Sequence, residues 1–298
     1  MPFSDENADM TDRTTLKVGL IGADIQLSKT PAMHMREGAA HGIDYAYELI
    51  DIIARNVPET ALPELLEEAE SRGFAGVNIT HPFKQRVIPL LHELSEDARM
   101  LGAVNTVVFR DGKRTGHNTD WYGFFESFKR GLPNAKRDRV LLIGAGGAGV
   151  AVAHAALKLD IQRLDILDQD IGRAEQLADN LNARFGKERA FAVTTPEESL
   201  PHADGLIHAT PTGMPAHPGM PVPSALIDER HWIADIVYMP LITELLAEAT
   251  RKGCQVLPGG GMAVFQAVDA FRLFSSEEPD PERMSAHFRE LCMDEAAA

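Results

Sequence analysis

Apolar residues in this chain follow two spacings. Short apolar runs recur between glycine, proline or polar residues, and they predict buried strands. Between them, apolar residues return every third or fourth position, which predicts amphipathic helices. Leu16-Lys17-Val18-Gly19-Leu20-Ile21-Gly22 reads as a buried strand running into a glycine turn. Pro31 suits a first helical turn, so a helix is expected to begin there. Tyr45–Asp51 reads as a strand. Leu62, Leu65, Leu66 and Ala69 stand at helical spacing, with Gly73 as a stop. Ala75–Thr80 is the next predicted strand, after which His81-Pro82-Phe83-Lys84 is expected to turn the chain into another helix. Ala103–Phe109, the Asp111-Gly112 turn and a short return strand predict a hairpin.

A second pattern starts at Arg139. Val140–Gly144 is a short apolar strand, followed by a glycine-rich turn and an alanine-rich helix to Lys158. Then come strand Leu164–Asp168, helix Gly172–Arg184, and strands Ala190–Thr194, Leu206–Thr210 and Trp232–Tyr238. Helix Thr243–Lys252 follows, and Gly261–Ser276 and Pro281–Glu295 read as two final helices. Pro211–Pro223 holds five of the 18 prolines and is expected to be an ordered, stiff loop. Alternating strands and helices imply α/β architecture with a parallel sheet covered on both faces. Two α/β domains with a cleft between them are expected, the second near residues 118–261, with the final helices returning to the first. Residues 1–15 read as a loose tail, and Ala296–Ala298 as a frayed end.

Composition narrows the classes. Lys plus Arg is 29 against 44 Asp plus Glu, a formal net charge of −15 over 298 residues. That balance opposes a nucleic-acid partner, and only a local cluster at Lys136, Arg137 and Arg139 runs against it. No apolar run reaches the length of a membrane span, and the acidic N-terminus lacks the apolar core of a signal peptide. A soluble cytoplasmic protein is expected. Cys254 and Cys292 are the only cysteines, so no disulfide framework or cysteine zinc site is implied. The eleven histidines show no ligand spacing and read mostly as surface or helix residues, so no metal is expected.

Gly144-Ala145-Gly146-Gly147-Ala148-Gly149 satisfies G-x-G-x-x-G. The pattern is weak alone, but here it follows an apolar strand and opens a helix. Gly144 permits the tight turn, Gly146 lets a pyrophosphate approach, and Gly149 lets the helix pack on the strand. The helix N-terminus adds partial positive charge for phosphates. Asp168 ends the next strand, where an acid can accept hydrogen bonds from a ribose diol. With Asp170 it would repel a 2′-phosphate, which favours NAD over NADP, although Arg173 stands close enough in sequence to reach one. A helix cap is the plain alternative for Asp168.

Polar residues also collect at the carboxyl ends of predicted strands: Ser28, Thr30, Asn78, Thr80, Asn105 and Asp120, with Lys84 just beyond. Each has an ordinary reading alone, since Thr30, Thr80 and Asp120 can cap helices and Lys84 can be a solvated lysine. Taken in order, Ser28-Lys29-Thr30-Pro31, Asn78-Ile79-Thr80-His81-Pro82-Phe83-Lys84, Gly102-Ala103-Val104-Asn105-Thr106 and Asn118-Thr119-Asp120 resemble the motifs of the shikimate dehydrogenase family. Ala209-Thr210-Pro211-Thr212-Gly213-Met214, Asp235-Ile236-Val237-Tyr238 and Gly261-Met262 with Gln266 continue the resemblance. The wording is most similar to the NAD-dependent quinate/shikimate dehydrogenases.

The resemblance implies an N-terminal substrate-binding domain, residues 1–117, completed by helices in 262–298. It also implies a Rossmann-type NAD-binding domain over 118–261. Ser28 and Thr30 would hold the substrate carboxylate, with Tyr238 nearby. Thr80, Asn105 and Gln266 would bind ring hydroxyls. Lys84 and Asp120 would be the catalytic pair beside the hydroxyl that is oxidised. Gly144, Gly146, Gly147, Ala148, Gly149, Asp168 and Arg173 would serve the cofactor, and Thr210, Met214, Val237 and Gly261 would lie at its nicotinamide end. The small-molecule substrate would be quinate or shikimate. Thr30 and the Asp168-Gln169-Asp170 stretch depart from many biosynthetic members, which carry serine and Asn-Arg-Thr there. Three alternatives stay open: an NADP-dependent biosynthetic shikimate dehydrogenase, an aminoshikimate dehydrogenase, and a non-catalytic dinucleotide-sensing module. Oligomeric state has no signature in the sequence.

Overall fold

The computed structural model describes residues 15–297. The expected tail over 1–15 lies outside the described residues apart from Thr15, as does Ala298. The end expected to fray is helical through Ala297.

The first half builds a six-stranded sheet from β1 (Leu16–Gly22), β2 (Tyr45–Asp51), β3 (Phe74–Ile79), β4 (Glu93–Leu94), β5 (Thr106–Arg110) and β6 (Lys113–His117). Its order is β2-β1-β3-β5-β6-β4, with β1 parallel to both β2 and β3 and the β5–β6 hairpin antiparallel. Asp111 and Gly112 both take positive φ at the hairpin tip, as a two-residue turn between twisted strands requires. Helices α1 (Thr30–Ala40), α2 (Leu62–Ser71) and α3 (Glu96–Leu101) complete this half.

Helix α4 (Asp120–Gly131) leads into the second sheet. Strands β7 (Arg139–Ile143), β8 (Arg163–Leu167), β9 (Ala190–Ala192), β10 (Gly205–His208), β11 (Trp232–Asp235) and β12 (Gln255–Leu257) are all parallel, in the order β12-β11-β10-β7-β8-β9. Helices α5 (Gly147–Lys158), α6 (Ile171–Phe185) and α7 (Glu244–Arg251) cross between them. Val140 and Leu142 pack on one face with α5 and α6, while Leu141 and Ile143 pack on the other with α7. Burial on both faces is why these strands read as unbroken apolar runs.

The last helices, α8 (Gly260–Ser275) and α9 (Pro281–Ala297), return to the first half. Ala270, Phe271 and Phe274 of α8 cover Val18, Tyr45 and Val108 of the first sheet. The opposite face of that sheet buries Ile21, Val77 and Val107 against Leu62, Leu65 and Leu66 of α2. Among the described residues no helix is long and apolar enough to cross a membrane.

Each sheet has a point where the chain reverses its direction of growth. In the second it lies between β7 and β10, and in the first between β1 and β3. Crevices at the carboxyl ends of such strand pairs are where α/β sheets take ligands.

One expected helix is absent. The segment from Thr80 to Leu91 forms turns and a short 3-10 helix at Ile88–Leu90. Pro89 has no amide to continue a helical ladder and restricts Ile88 before it. The Lys84 carbonyl accepts instead from the Val104 amide at 2.8 Å, while Phe83 is fully buried. Lys84 is therefore held by a long-range tie and not by a helix.

Candidate active site

The first crevice is assembled from loops that follow strands. Asp51, at the end of β2, accepts hydrogen bonds from the amides of Asp24, Ile25 and Ile53 and from Gln26 Nε2 at 2.9 to 3.2 Å. Burial alone would push the Asp51 carboxyl up, but these bonds outweigh it and hold it below the ordinary carboxylate range. The loop after β1 is thereby fixed, and its next turn is closed by the Ser28 amide on the Ile25 carbonyl. Thr30 opens α1 with its amide 3.4 Å from Ser28 Oγ.

The charged centre lies across the cleft floor. Lys84 Nζ donates to Asp120 Oδ2 at 2.6 Å, with Asp120 buried and Lys84 half-buried. Asp120 opens α4, where the helix dipole favours a carboxylate. Its side chain is not spent on capping, because Asn118 Oδ1 takes the Asp120 amide at 3.0 Å. The other Asp120 oxygen accepts from Asn105 Nδ2 at 3.0 Å. The Thr119 amide donates to Asn105 Oδ1 at 2.7 Å, which fixes which end of the Asn105 amide faces Asp120. Behind this layer, Tyr47 donates to Asn78 Oδ1 at 2.8 Å, and Asn78 Nδ2 donates to Thr106 Oγ1 at 2.9 Å.

These groups open on a cleft of about 550 Å³. Ser28, Thr30, Thr80, Lys84, Asn105, Asp120 and Gln266 line it on one side. Ala148 of α5, Met214 and Tyr238 line it from the second half. Asn78, Thr119, Ile236 and Met262 line it too. Gly144, Gly146, Gly147, Gly149, Asp168, Arg173, Thr210, Val237 and Gly261 are not among its lining residues. At Gly261 a Cβ would sit 2.1 Å from Ser127 Oγ, so the close approach of α8 to α4 accounts for this glycine.

The second crevice is built from backbone. Gly144 has φ of +106°, and a Cβ on Gly149 would lie 2.0 Å from the Gly144 carbonyl oxygen. Gly146 and Gly147 face open space, and no side chain caps α5 there. The loop leaves free amides at a helix N-terminus, which suits a pyrophosphate. Asp168 Oδ2 accepts from the Ala145 amide at 2.7 Å, and its Oδ1 from the Asp170 amide at 2.9 Å. The cap of α6 is Asp170, on the Gly172 amide at 3.0 Å, so Asp168 is not a helix cap. Arg173 is exposed, with Nε 3.5 Å from Asp170 Oδ2.

Beside this loop runs a buried polar chain. Thr243 Oγ1 donates to Asp235 Oδ2 at 2.7 Å, and His208 Nδ1 lies 2.9 Å from Asp235 Oδ1. His208 Nε2 lies 2.5 Å from Thr210 Oγ1, and the Val237 amide donates to Asp235 Oδ1 at 3.0 Å. Not every histidine is a surface or helix residue. His34 and His154 are buried in helices, while His208 ends a central strand and His231, also buried, faces the Leu200 carbonyl at 3.0 Å.

Two family models match the chain. The family model for the shikimate dehydrogenase substrate binding domain matches residues 20–107. That for the alanine dehydrogenase/PNT C-terminal domain matches residues 128–229. A shikimate dehydrogenase (NADP(+)) of Arthrobacter sp. strain FB24 is 52% identical over 92% of this chain and 94% of its own. The chain belongs to the shikimate dehydrogenase family. A quinate/shikimate dehydrogenase (NAD(+)) of Corynebacterium efficiens is 48% identical over 93% of this chain and 99% of its own. The solved quinate dehydrogenase from Corynebacterium glutamicum in complex with NAD superposes with a TM-score of 0.89. It is 48% identical and covers 93% of this chain and 99% of that one.

As a shikimate dehydrogenase family member, the chain is an oxidoreductase with a nicotinamide dinucleotide cofactor, and its two domains are the expected substrate-binding and Rossmann-like pair. The sequence reading of this family member passed over Asp51 and the His208–Asp235 pair. Both acids end strands beside a ligand crevice, which is the one signal that marks them.

Proposed function

We propose that this protein oxidises quinate and shikimate to their 3-dehydro products with NAD, reversibly. The contact between Lys84 and Asp120 carries the reading: a lysine nitrogen and a carboxylate 2.6 Å apart share a cleft with the Ala148 end of the glycine-loop helix. In this reading residues 1–117 with 262–298 bind the substrate and residues 118–261 bind the cofactor, in a cytoplasmic enzyme. NAD, when bound, supplies the hydride acceptor, while the protein orients the alcohol and handles its proton. Lys84, as the neutral amine, receives the hydroxyl proton and becomes the ammonium, while Asp120, hydrogen-bonded to the same hydroxyl, holds it in place. The alcohol thus gives up a hydride from carbon and a proton from oxygen, and leaves as the ketone. Ser28, Thr30 and Tyr238 hold the substrate carboxylate, and Thr80, Asn105 and Gln266 its ring hydroxyls.

The NAD preference rests on Asp168. Two of its four lone-pair sites are used by backbone amides, which leaves two for a ribose diol. Its charge, with Asp170 beside it, opposes a 2′-phosphate. The second reading is NADP, favoured by the (NADP(+)) relative at 52% identity and by exposed Arg173.

A matrix of NAD and NADP against quinate and shikimate tests both. Absorbance of reduced nicotinamide should grow fastest with NAD; no growth in any cell would refute the assignment. Asp168→Ala should raise KM for NAD by about tenfold or more, the scale of a lost charge-assisted hydrogen bond, and KM for NADP far less. Any loosening of the Ala145 turn affects both cofactors alike, so an equal rise would remove the argument for NAD.

A further inference from the structure

We propose that His208 is a positioning residue that fixes the Thr210 hydroxyl at the nicotinamide end of the cofactor site. The inference rests on the reading that Thr210 flanks the nicotinamide ring. His208 and Asp235 end neighbouring parallel strands and stand opposite one another in register. Both side chains are fully buried. Burying an imidazole and a carboxylate together costs several kcal/mol of desolvation unless every polar atom is answered. Here each is. A carboxylate only accepts, so the proton of that contact sits on His208 Nδ1. Asp235 is itself held by Thr243 and by the Val237 amide. The ring then works as a rigid spacer, with its far nitrogen 2.5 Å from Thr210 Oγ1.

Thr210 is where this matters for a ligand. It stands two residues past the end of β10, at the point where the second sheet reverses its order. A Cβ on Gly144 would stand 3.0 Å from Thr210 Cγ2, so the threonine packs on the first glycine of the phosphate loop. Its hydroxyl also accepts from the Thr212 amide at 3.3 Å, at the start of the turn that leads to Met214. An apolar residue at 208 would fill the volume. Only a side chain with two opposed polar ends ties the threonine to the strand.

The test compares NAD with ADP-ribose, which lacks the nicotinamide ring, by titration calorimetry. Asn at 208 keeps an amide near Asp235 but falls short of Thr210. H208N should weaken NAD binding about three- to tenfold, the scale of one net hydrogen bond, and leave ADP-ribose within about twofold. T210V should do the same, and the double variant should be no worse than T210V alone. Should H208N not fold, H208Q carries the test, since its longer amide spans the reach of Nε2 and should keep the parent ratio of the two affinities. Equal loss of both ligands, an unchanged NAD affinity, multiplying effects in the double variant, or loss of the ratio in H208Q would each overturn the proposal. Failure of the parent protein to oxidise quinate or shikimate would refute the functional reading instead.

Discussion

The two crevices recognise by opposite means. The first is crowded with side chains whose polar atoms hold one another: Lys84, Asp120, Asn105, Thr119, Thr106, Asn78 and Tyr47 form one connected set. The second is made largely of what is missing, with glycines that leave amides bare and space open. A network of this kind fixes a geometry, which hydride chemistry on one alcohol of a ring requires. A bare helix end accepts phosphates of any nucleotide, and discrimination has to come from added groups such as Asp168. The first half should therefore be damaged by removing atoms, and the second by adding them.

The largest expected break in that contrast is at Lys84. Lys84→Ala should lower kcat by about 10²–10⁴-fold while NAD affinity, measured by calorimetry, stays put. A raised KM with kcat intact would make Lys84 a binding group and blur the comparison. Next come two glycines three residues apart. Gly149→Ala forces a methyl to 2.0 Å from the Gly144 carbonyl and should destabilise the fold by about 1–3 kcal/mol in urea. Gly146→Ala meets no atom and should change stability by less than about 0.5 kcal/mol, yet weaken dinucleotide binding. Equal stability losses would show that the loop is packed and not held open.

A last comparison separates the halves by acid. Burial lowers His34, in the first half, from 6.5 to about 3. His154, in the second, is also lowered by burial, but Asp97 pulls it back. A histidine kept neutral by folding binds fewer protons than its unfolded form between the two values. Its stabilisation is whole above pH 6.5 and falls as pH drops, by up to about 1.4 kcal/mol per unit. Urea midpoints should decline from pH 6.5 to 5, and His34→Phe should flatten that decline more than His154→Phe. The reverse ranking would contradict the burial argument.

Much of the fold was legible because it is local. The runs at Leu16–Gly22 and Val140–Ile143 and the helical stripe of Leu62, Leu65 and Leu66 declare themselves within one window. Strand β12 has three residues and β4 two, too few for any periodicity to register. The Lys84 segment was misread because its organiser is Val104, twenty positions away. The site followed the same division. Ser28, Thr80, Asn105 and Asp120 were found together because strand ends converge at a crevice whatever the loops do. Asp51 and His208 escaped because their long-range partners lie in the loop after β1 and at the end of β11, and no spacing along the chain encodes that.

The return of α8 to the first sheet has a consequence for synthesis. Val18 and Val108 emerge from the ribosome early, but Phe271 and Phe274, which cover them, are made near the end. The part of that face around Val18 and Val108 lacks its α8 cover while the whole dinucleotide half is translated, so the nascent chain exposes a sticky patch for most of its production and is complete only when its last helices arrive.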